Sequence, residues 1–427
     1  MIASAACLSP GTGAGPARAG GADGAPTALP ADLRAWDELT RRFHAKDVLS
    51  WPQRQVDGKP CRVSPALTVP VGEELNHHRL TVEFTGTGSV ELGLVHSAGS
   101  NLDYALAKRY LRSRFRPVSS GQEVIISSGR RCERTAWLLL RSKGDVRITA
   151  VRHRCWRGKG TIYGHVARVF EFAGQKLPYR IMAPRNYDPR RSYPLVVSIS
   201  GSGGVGTDNR RNMEMVILAR YLFANYYHDA RFECFSIVPQ IPPANAAPAP
   251  YWPKGPRGRP VADYYAYIEA AHENGWFVQA TLALIRQLIA KDALRIDPDR
   301  IYYSGFSYGG RACWEFLKAG RDLFAGAICC AGWPIGRLGL APTGPALRRL
   351  KQDVSRYKHI PVLIVHGQND RRMQPGSQAV HREIIAQGGK STYVVLPGAN
   401  HISSAGATWG NRKYVAWLFE QNRKKNP

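Results

Sequence analysis

The stretch DPDRIYYSGFSYGGRACWEFLKAG, residues 297–320, decides the fold. Its first part, RIYYSG, is a run of β-branched and aromatic residues that reads as a buried strand. Its last part, from Tyr308, reads as a helix. Between them lies Gly305-Phe306-Ser307-Tyr308-Gly309, a G-x-S-x-G in the strand–turn–helix context where that pattern carries chemistry. A sharp turn of this kind tolerates little bulk, and Gly305 and Gly309 supply the space. Ser307 then projects its hydroxyl from the sheet beside a helix N-terminus, whose dipole favours developing negative charge.

Working outward, strand and helix patterns alternate from about residue 158. VARVFEFAG and KLPYRIMAP suggest a leading hairpin. YPLVVSIS (193–200), FECFSIVPQ (232–240), PVLIVHG (361–367), LFAGAICCAG (323–332) and STYVVLPG (391–398) are further strands, and 276–291, 308–319, 376–387 and 411–422 are helices. Such alternation predicts an α/β architecture, with a mostly parallel sheet flanked by helices.

A serine hydroxyl is a poor nucleophile until a base removes its proton. In folds built around this turn, an acid and then a histidine follow the serine in the chain. Asp370, in HGQND, lies 63 residues after Ser307, and His401, in GANH, lies 31 residues further. Both follow predicted strands, so both fall in loops at the carboxyl edge of the sheet, where α/β folds place their sites. The rivals are less well placed. His366 precedes Gly367, where a turn role is expected, and His381 falls inside a helix. His359, Asp353 and Asp322 precede their strands, on the wrong edge, while His272 lies in a long loop.

Two backbone donors are needed for a developing oxyanion. One is expected from the Tyr308 amide and the other from Ser202 in the glycine-rich loop SGSGGVGTDN (200–209). No lysine follows that loop at phosphate-loop spacing. The Pro-rich and aromatic segment 238–276 reads as a lid or pocket wall. It offers Trp252 as an aromatic wall, with Gln240 and Tyr308 as further substrate-binding candidates.

The N-terminal part is different. Residues 1–30 are dominated by Gly, Ala and Pro and are expected to be disordered. Ala3-Ser4-Ala5 resembles the end of an export signal, from which a secreted or periplasmic location is expected. Leu33, Trp36, Leu39 and Phe43 fall at helical spacing, so 33–48 is expected to form a short amphipathic helix. Short β-rich runs then fill 60–155, many of them separated by glycine-containing turns, as in an antiparallel sandwich. Trp137 and Trp156 are candidates for a sugar platform there, or for core. The organisation read is therefore 1–30 (tail), 31–157 (helix and β-sandwich module) and 158–427 (α/β domain).

With 427 residues and 44 % hydrophobic side chains, the chain can bury a sizeable core. No apolar run of about 18 residues suggests a membrane-spanning helix. The net charge of +27 is dispersed along the sequence and no nucleic-acid-binding signature accompanies it, so a solvated surface is expected. None of the eight cysteines shows CxxC spacing, so no zinc site is expected. Cys61, Cys132 and Cys155 share one β region and could give a disulfide or stay buried thiols.

Residues 160–422 resemble the α/β-hydrolase superfamily, and within it the secreted esterase, polyester-depolymerase and predicted-peptidase group related to feruloyl esterases. The resemblance rests on LPYRIMAPRNYDPRRSYPLVV, GSGGVGTDN, VPQIP, DPDRIYYSGFSYGG, VLIVHGQND and LPGANH, in that order. It implies a Ser307-His401-Asp370 triad, a pocket tryptophan at Trp252 and a carboxylic-ester hydrolase that uses no metal or organic cofactor. Its expected substrates are acyl or feruloyl esters of polysaccharide, or a polyester. A serine peptidase of the prolyl-oligopeptidase-like type and an inactive carbohydrate-binding protein are the alternatives. One departure is that relatives carry His-Gly before the oxyanion loop, whereas this chain has Ser200-Gly201. The N-terminal runs resemble jelly-roll modules in pattern only.

Overall fold

The computed structural model describes residues 29–30, 33, 36–68, 77–97, 102, 106, 115–127, 135–158, 161–215, 217–227, 229–242, 275–334, 341–371 and 373–425. The tail 1–28, most of the long segment after Pro242 (including Trp252 and His272) and the side chain of Trp156 lie outside the described residues.

Among the described residues, ten strands precede residue 160: β1 (Trp36–His44), β2 (Gln53–Val56), β3 (Lys59–Val63), β4 (Leu67–Thr68), β5 (His77–Thr85), β6 (Ser89–Ser97), β7 (Arg116–Val118), β8 (Glu123–Ser127), β9 (Thr135–Lys143) and β10 (Arg147–Gly158). They form two antiparallel sheets, one in the order β1-β10-β5-β8 and one in the order β2-β3-β9-β6-β7, with β4 also on β9. Leu80, Val82 and Val151 from the first sheet share one apolar cluster with Leu92, Leu94, Leu138 and Leu140 from the second.

The helix expected over 33–48 is a correction. Residues 36–44 pair along their whole length with β10 as a strand, and only Ala45–Ser50 (α1) is helical. From Thr40 to His44, exposed residues alternate with half-buried ones, and the half-buried Phe43 packs edge-on against Trp51. WDELTRRFH satisfies both periods, and sheet pairing decides between them. Trp137 is buried among Val63, Val95 and Leu139, so it is core rather than a sugar platform. Cys61 is a buried free thiol.

The second half is built on one sheet with the order β11-β12-β13-β15-β14-β16-β17-β18-β19. Its strands are β11 (Thr161–Ile162), β12 (His165–Phe172), β13 (Gln175–Met182), β14 (Tyr193–Ile199), β15 (Phe235–Pro239), β16 (Ile296–Phe306), β17 (Phe324–Cys330), β18 (Val362–Gly367) and β19 (Ser391–Leu396). The last six are parallel to one another, while β11, β12 and β13 are antiparallel neighbours at one end.

Alternate residues of the central strands enter two different cores. Leu195, Val197, Ile301, Tyr303, Val362 and Ile364 face one, and Val196, Tyr302, Leu363 and Val365 face the other. A strand buried on both faces reads as an unbroken apolar run, as these do. The helices are α2 (Arg211–Glu214), α3 (Leu218–Tyr221, continued by a π-helical turn over Leu222–Tyr226), α4 (Trp276–Ala290), α5 (Tyr308–Ala319), α6 (Gly344–Tyr357), α7 (Gln374–Ala386), α8 (His401–Gly410) and α9 (Arg412–Glu420). Buried residues of α4, α5, α6 and α7 join the first core, and those of α3, α8 and α9 join the second. No helix of the described residues is long and apolar enough to cross a membrane.

The two halves touch. Arg79 of β5 donates to the Ala224 carbonyl in the π-helical turn at 2.8 Å. Leu29 and Leu33 are buried in the same core as Leu177, Leu195 and Phe277.

Helix α5 is enclosed so completely that its charges must pair internally. Arg311 and Lys318 bind the two oxygens of Glu315 at 2.9 and 2.7 Å, and Lys318 reaches Asp353 of α6 at 3.1 Å. Burial pushes the Glu315 carboxyl up, but the two cations outweigh it and hold it below its usual value. Removing one member of such a cluster leaves buried charge unmatched, at a cost of about 3–5 kcal/mol. Glu315→Gln is therefore expected to lower stability by that order, measured as the shift in urea unfolding free energy.

Candidate active site

Sheet order places the site. The chain runs from β14 to β15 on one side and then returns to β16 on the other, so the crevice between β14 and β16 is where the order reverses. Ser307 follows β16, and the 200–209 loop follows β14.

Ser307 has φ 55° and ψ −110°, a left-handed backbone that L-residues avoid. Such strain costs on the order of 1–3 kcal/mol and persists only where the surroundings impose it. Here the Ser307 amide donates to the Cys330 carbonyl at 2.9 Å, and its own carbonyl accepts the Arg311 amide at 2.8 Å. A Cβ on Gly305 would lie 2.2 Å from the Gly309 carbonyl oxygen, and one on Gly309 would lie 2.2 Å from that of Ile199. Both glycines are thus required by close backbone approach, as the motif implied.

His401 opens α8. Asn400 caps that helix, its side chain accepting the Ser403 amide while Ser403 Oγ accepts the Asn400 amide. The imidazole Nε2 lies 2.8 Å from Ser307 Oγ, and Nδ1 lies 2.7 Å from Asp370 Oδ2. A carboxylate at Nδ1 fixes the proton there, so Nε2 accepts from the serine hydroxyl. The buried Phe306 ring stands 5.0 Å from the imidazole and supports it from below.

Asp370 is held by a ladder between two loops. Gln368 and Asn369 amides donate to the Leu396 and Ala399 carbonyls, and the Gly398 amide donates to Gln368 Oε1. Gly367 permits the approach, since a Cβ there would lie 2.4 Å from the Ala399 oxygen. Burial pushes the Asp370 carboxyl up, but His366 and His401 beside it outweigh this and hold it below the usual carboxylate range.

The 200–209 loop passes close to the serine, with the Gly201 Cβ position 3.4 Å from Ser307 Cβ. Ser202 opens a 3-10 turn (Ser202–Gly204) and Tyr308 opens α5. First-turn amides of a helix have no acceptor within it, so both are free of intrahelical partners.

The loop's brace is Gln240. Its Oε1 accepts the Asn209 amide, and its Nε2 donates to Asp208 Oδ1 at 2.8 Å and to the Gly204 carbonyl at 3.3 Å. Asn209, itself at φ 54°, donates to the Arg168 and Tyr179 carbonyls, and Arg180 donates to the Asn209 carbonyl. Ser200 Oγ is buried with no hydrogen-bond partner among the described residues, and the loop is supported from Gln240.

Two of the substrate-binding candidates are buried. Gln240 is fully buried, with both ends of its amide engaged in bracing the loop. The Tyr308 ring is buried in the core under α5, leaving only its backbone at the site. Trp252 lies outside the described residues. The rivals are engaged elsewhere: His359 with the Arg321 carbonyl, His381 with Ser391, Asp353 with Lys318 and Asp322 with Arg286.

His366 is not a turn residue but a buried one at the end of β18, 2.8 Å from Ser377 Oγ and 3.7 Å from Asp370 Oδ2. Its signal in the sequence is position alone, at a strand end four residues before Asp370.

No family profile and no curated protein matches the sequence. Among solved structures, the chain is similar to a thermostable esterase, at 21 % identity over 81 % of this chain and 95 % of that one, with a TM-score of 0.47. It is similar to a ferulic acid esterase from Anaeromyces mucronatus, at 16 % over 61 % and 92 %, TM-score 0.44. It is also similar to an acylaminoacyl peptidase from Pyrococcus horikoshii, at 16 % over 61 % and 42 %, TM-score 0.41. Likenesses of this size carry no functional conclusion, and the geometry above stands by itself.

Two outcomes follow from that geometry. Gly309→Ala forces a Cβ against the Ile199 carbonyl and should cost roughly 1–3 kcal/mol or more, read as a lower melting temperature. Asp370, with its depressed folded value, contributes stability above the unfolded carboxylate value of about 4 and loses it as pH falls through the folded value. The melting-temperature gap between wild type and Asp370→Asn should therefore narrow as the pH is lowered from about 6 to about 3.

Proposed function

We propose that this chain is a serine carboxylic-ester hydrolase of the α/β-hydrolase type, with Ser307, His401 and Asp370 as its catalytic triad. The observation that carries the reading is the unbroken hydrogen-bond chain from the Ser307 hydroxyl through both nitrogens of His401 to the Asp370 carboxylate.

The chemistry follows from that chain. Ser307 Oγ attacks the ester carbonyl while its proton passes to His401 Nε2. Asp370 holds the ring and balances the imidazolium that forms. The carbonyl oxygen becomes an oxyanion between the Ser202 and Tyr308 amides. His401 then protonates the departing alcohol, leaving an acyl-serine. Water loses its proton to His401, attacks the acyl carbon and releases the carboxylic acid with the serine restored.

Acyl or feruloyl esters of polysaccharide, or a polyester, are the proposed substrates. The two N-terminal sheets, which share an apolar cluster, are read as a β-sandwich module (31–157) that directs the α/β domain (158–427) to such a polymer.

The test is a panel of p-nitrophenyl esters and peptide p-nitroanilides on purified protein. Esters should turn over and Ser307→Ala should lose about a thousandfold or more in kcat/KM while keeping the wild-type melting temperature within a few degrees. Turnover of the anilides in preference to the esters would move the reading to a peptidase, and undiminished activity in Ser307→Ala would remove the nucleophile.

A further inference from the structure

Hydrogen-bond accounting at β18 assigns a role to a second histidine. Ser377 Oγ lies 2.7 Å from the Gly332 carbonyl oxygen, which can only accept, so the single hydroxyl proton is spent there. His366 Nε2, 2.8 Å from the same Oγ, must therefore be the donor. The ring is anchored, with Nε2 protonated and Nδ1 directed at Asp370 Oδ2, 3.7 Å away. That is longer than a hydrogen bond, and Nδ1 has no closer partner among the described residues. The oxygen it faces is the one that binds His401 Nδ1 at 2.7 Å.

We propose that His366 is a positioning residue: anchored by Ser377 with its proton on Nε2, it presents no second donor to Asp370 Oδ2 and so leaves that oxygen to His401. This rests on the triad reading above. In the Nε2–H form, the Nδ1 lone pair faces the carboxylate. A donor in its place would compete with His401 Nδ1 for Oδ2, and the carboxylate would then attract the His401 proton less. The remaining groups around the pair do not compete. From β17, burial pushes the Cys330 thiol up to about 12; from β19, burial and the Asp370 charge push Tyr393 up to about 12. Both stay neutral where His401 works. The Tyr393 ring is 6.2 Å from that of His366, Ser404 and Thr408 of α8 bind Cys330 Sγ, and Arg371, next in the chain, is exposed.

The experiment follows covalent labelling of Ser307 by diisopropyl fluorophosphate as a function of pH. Here the serine oxygen–phosphorus bond forms, the phosphorus–fluorine bond breaks, fluoride leaves and His401 takes the hydroxyl proton. In His366→Gln the side-chain amide can donate to the carboxylate, so the acid limb of the labelling rate should move to lower pH by about half a unit or more. Ser377→Ala, which frees the His366 ring to carry its proton on Nδ1, should move it the same way. A folded His366→Gln protein whose limb is unmoved, or moved to higher pH, overturns the proposal; if that variant does not fold, Ser377→Ala decides by the same criterion. A lowered melting temperature with no movement of the limb is the result of a purely structural role and also overturns it. Wild-type protein that is not labelled at Ser307 removes the triad reading itself, whereas labelled wild type with unmoved variants removes only the role of His366.

Discussion

The left-handed backbone at Ser307 is the constraint on which the rest is arranged. It costs energy locally, and three neighbours hold it: the Cys330 carbonyl on β17, the first turn of α5, and the Gly305–Gly309 contact that leaves no room for a side chain. Because Gly309 also presses on the Ile199 carbonyl at the end of β14, the same packing brings the 200–209 loop to the hydroxyl. The strained turn and the loop beside it are one packing solution. The ionic cluster within α5 further ties this helix to α6.

Opposite the serine, the imidazole and carboxylate sit on two loops that are laced to each other. The lacing runs through backbone groups and through Gln368 and Asn369, so it is independent of the hydrogen bond it serves. The 200–209 loop is held by Gln240 and Asn209 in the same manner. The serine, the histidine and the aspartate therefore stand on supports that do not depend on the hydrogen bonds joining the three.

Much of this could be read from the chain, for reasons that differ by element. Strands β14 to β18 are buried on both faces, so their apolar runs stand out without any partner being known. The 297–320 segment declares itself because glycine spacing reports backbone approach. Asp370 and His401 follow from strand ends and chain order. What sequence hid was whatever depends on partners far away. WDELTRRFH fits two periods, and only β10 selects the strand. Gln240 and His366 look like pocket or turn residues until the groups at 31 and 11 residues' distance, Asn209 and Ser377, are seen to occupy them. The Tyr308 ring turns inward because the core under α5 has room for it. Helix α6 leaves little trace in the sequence because its buried face is only Leu350, Val354 and Tyr357 amid charge.

Leu29 and Leu33 have a bearing on how the chain matures. They precede both N-terminal sheets in the chain, yet the core they join is built from Leu177, Leu195 and Phe277, which are synthesised after those sheets. This segment therefore cannot come to rest until the second half of the described fold has taken shape, with two whole sheets made in the interval.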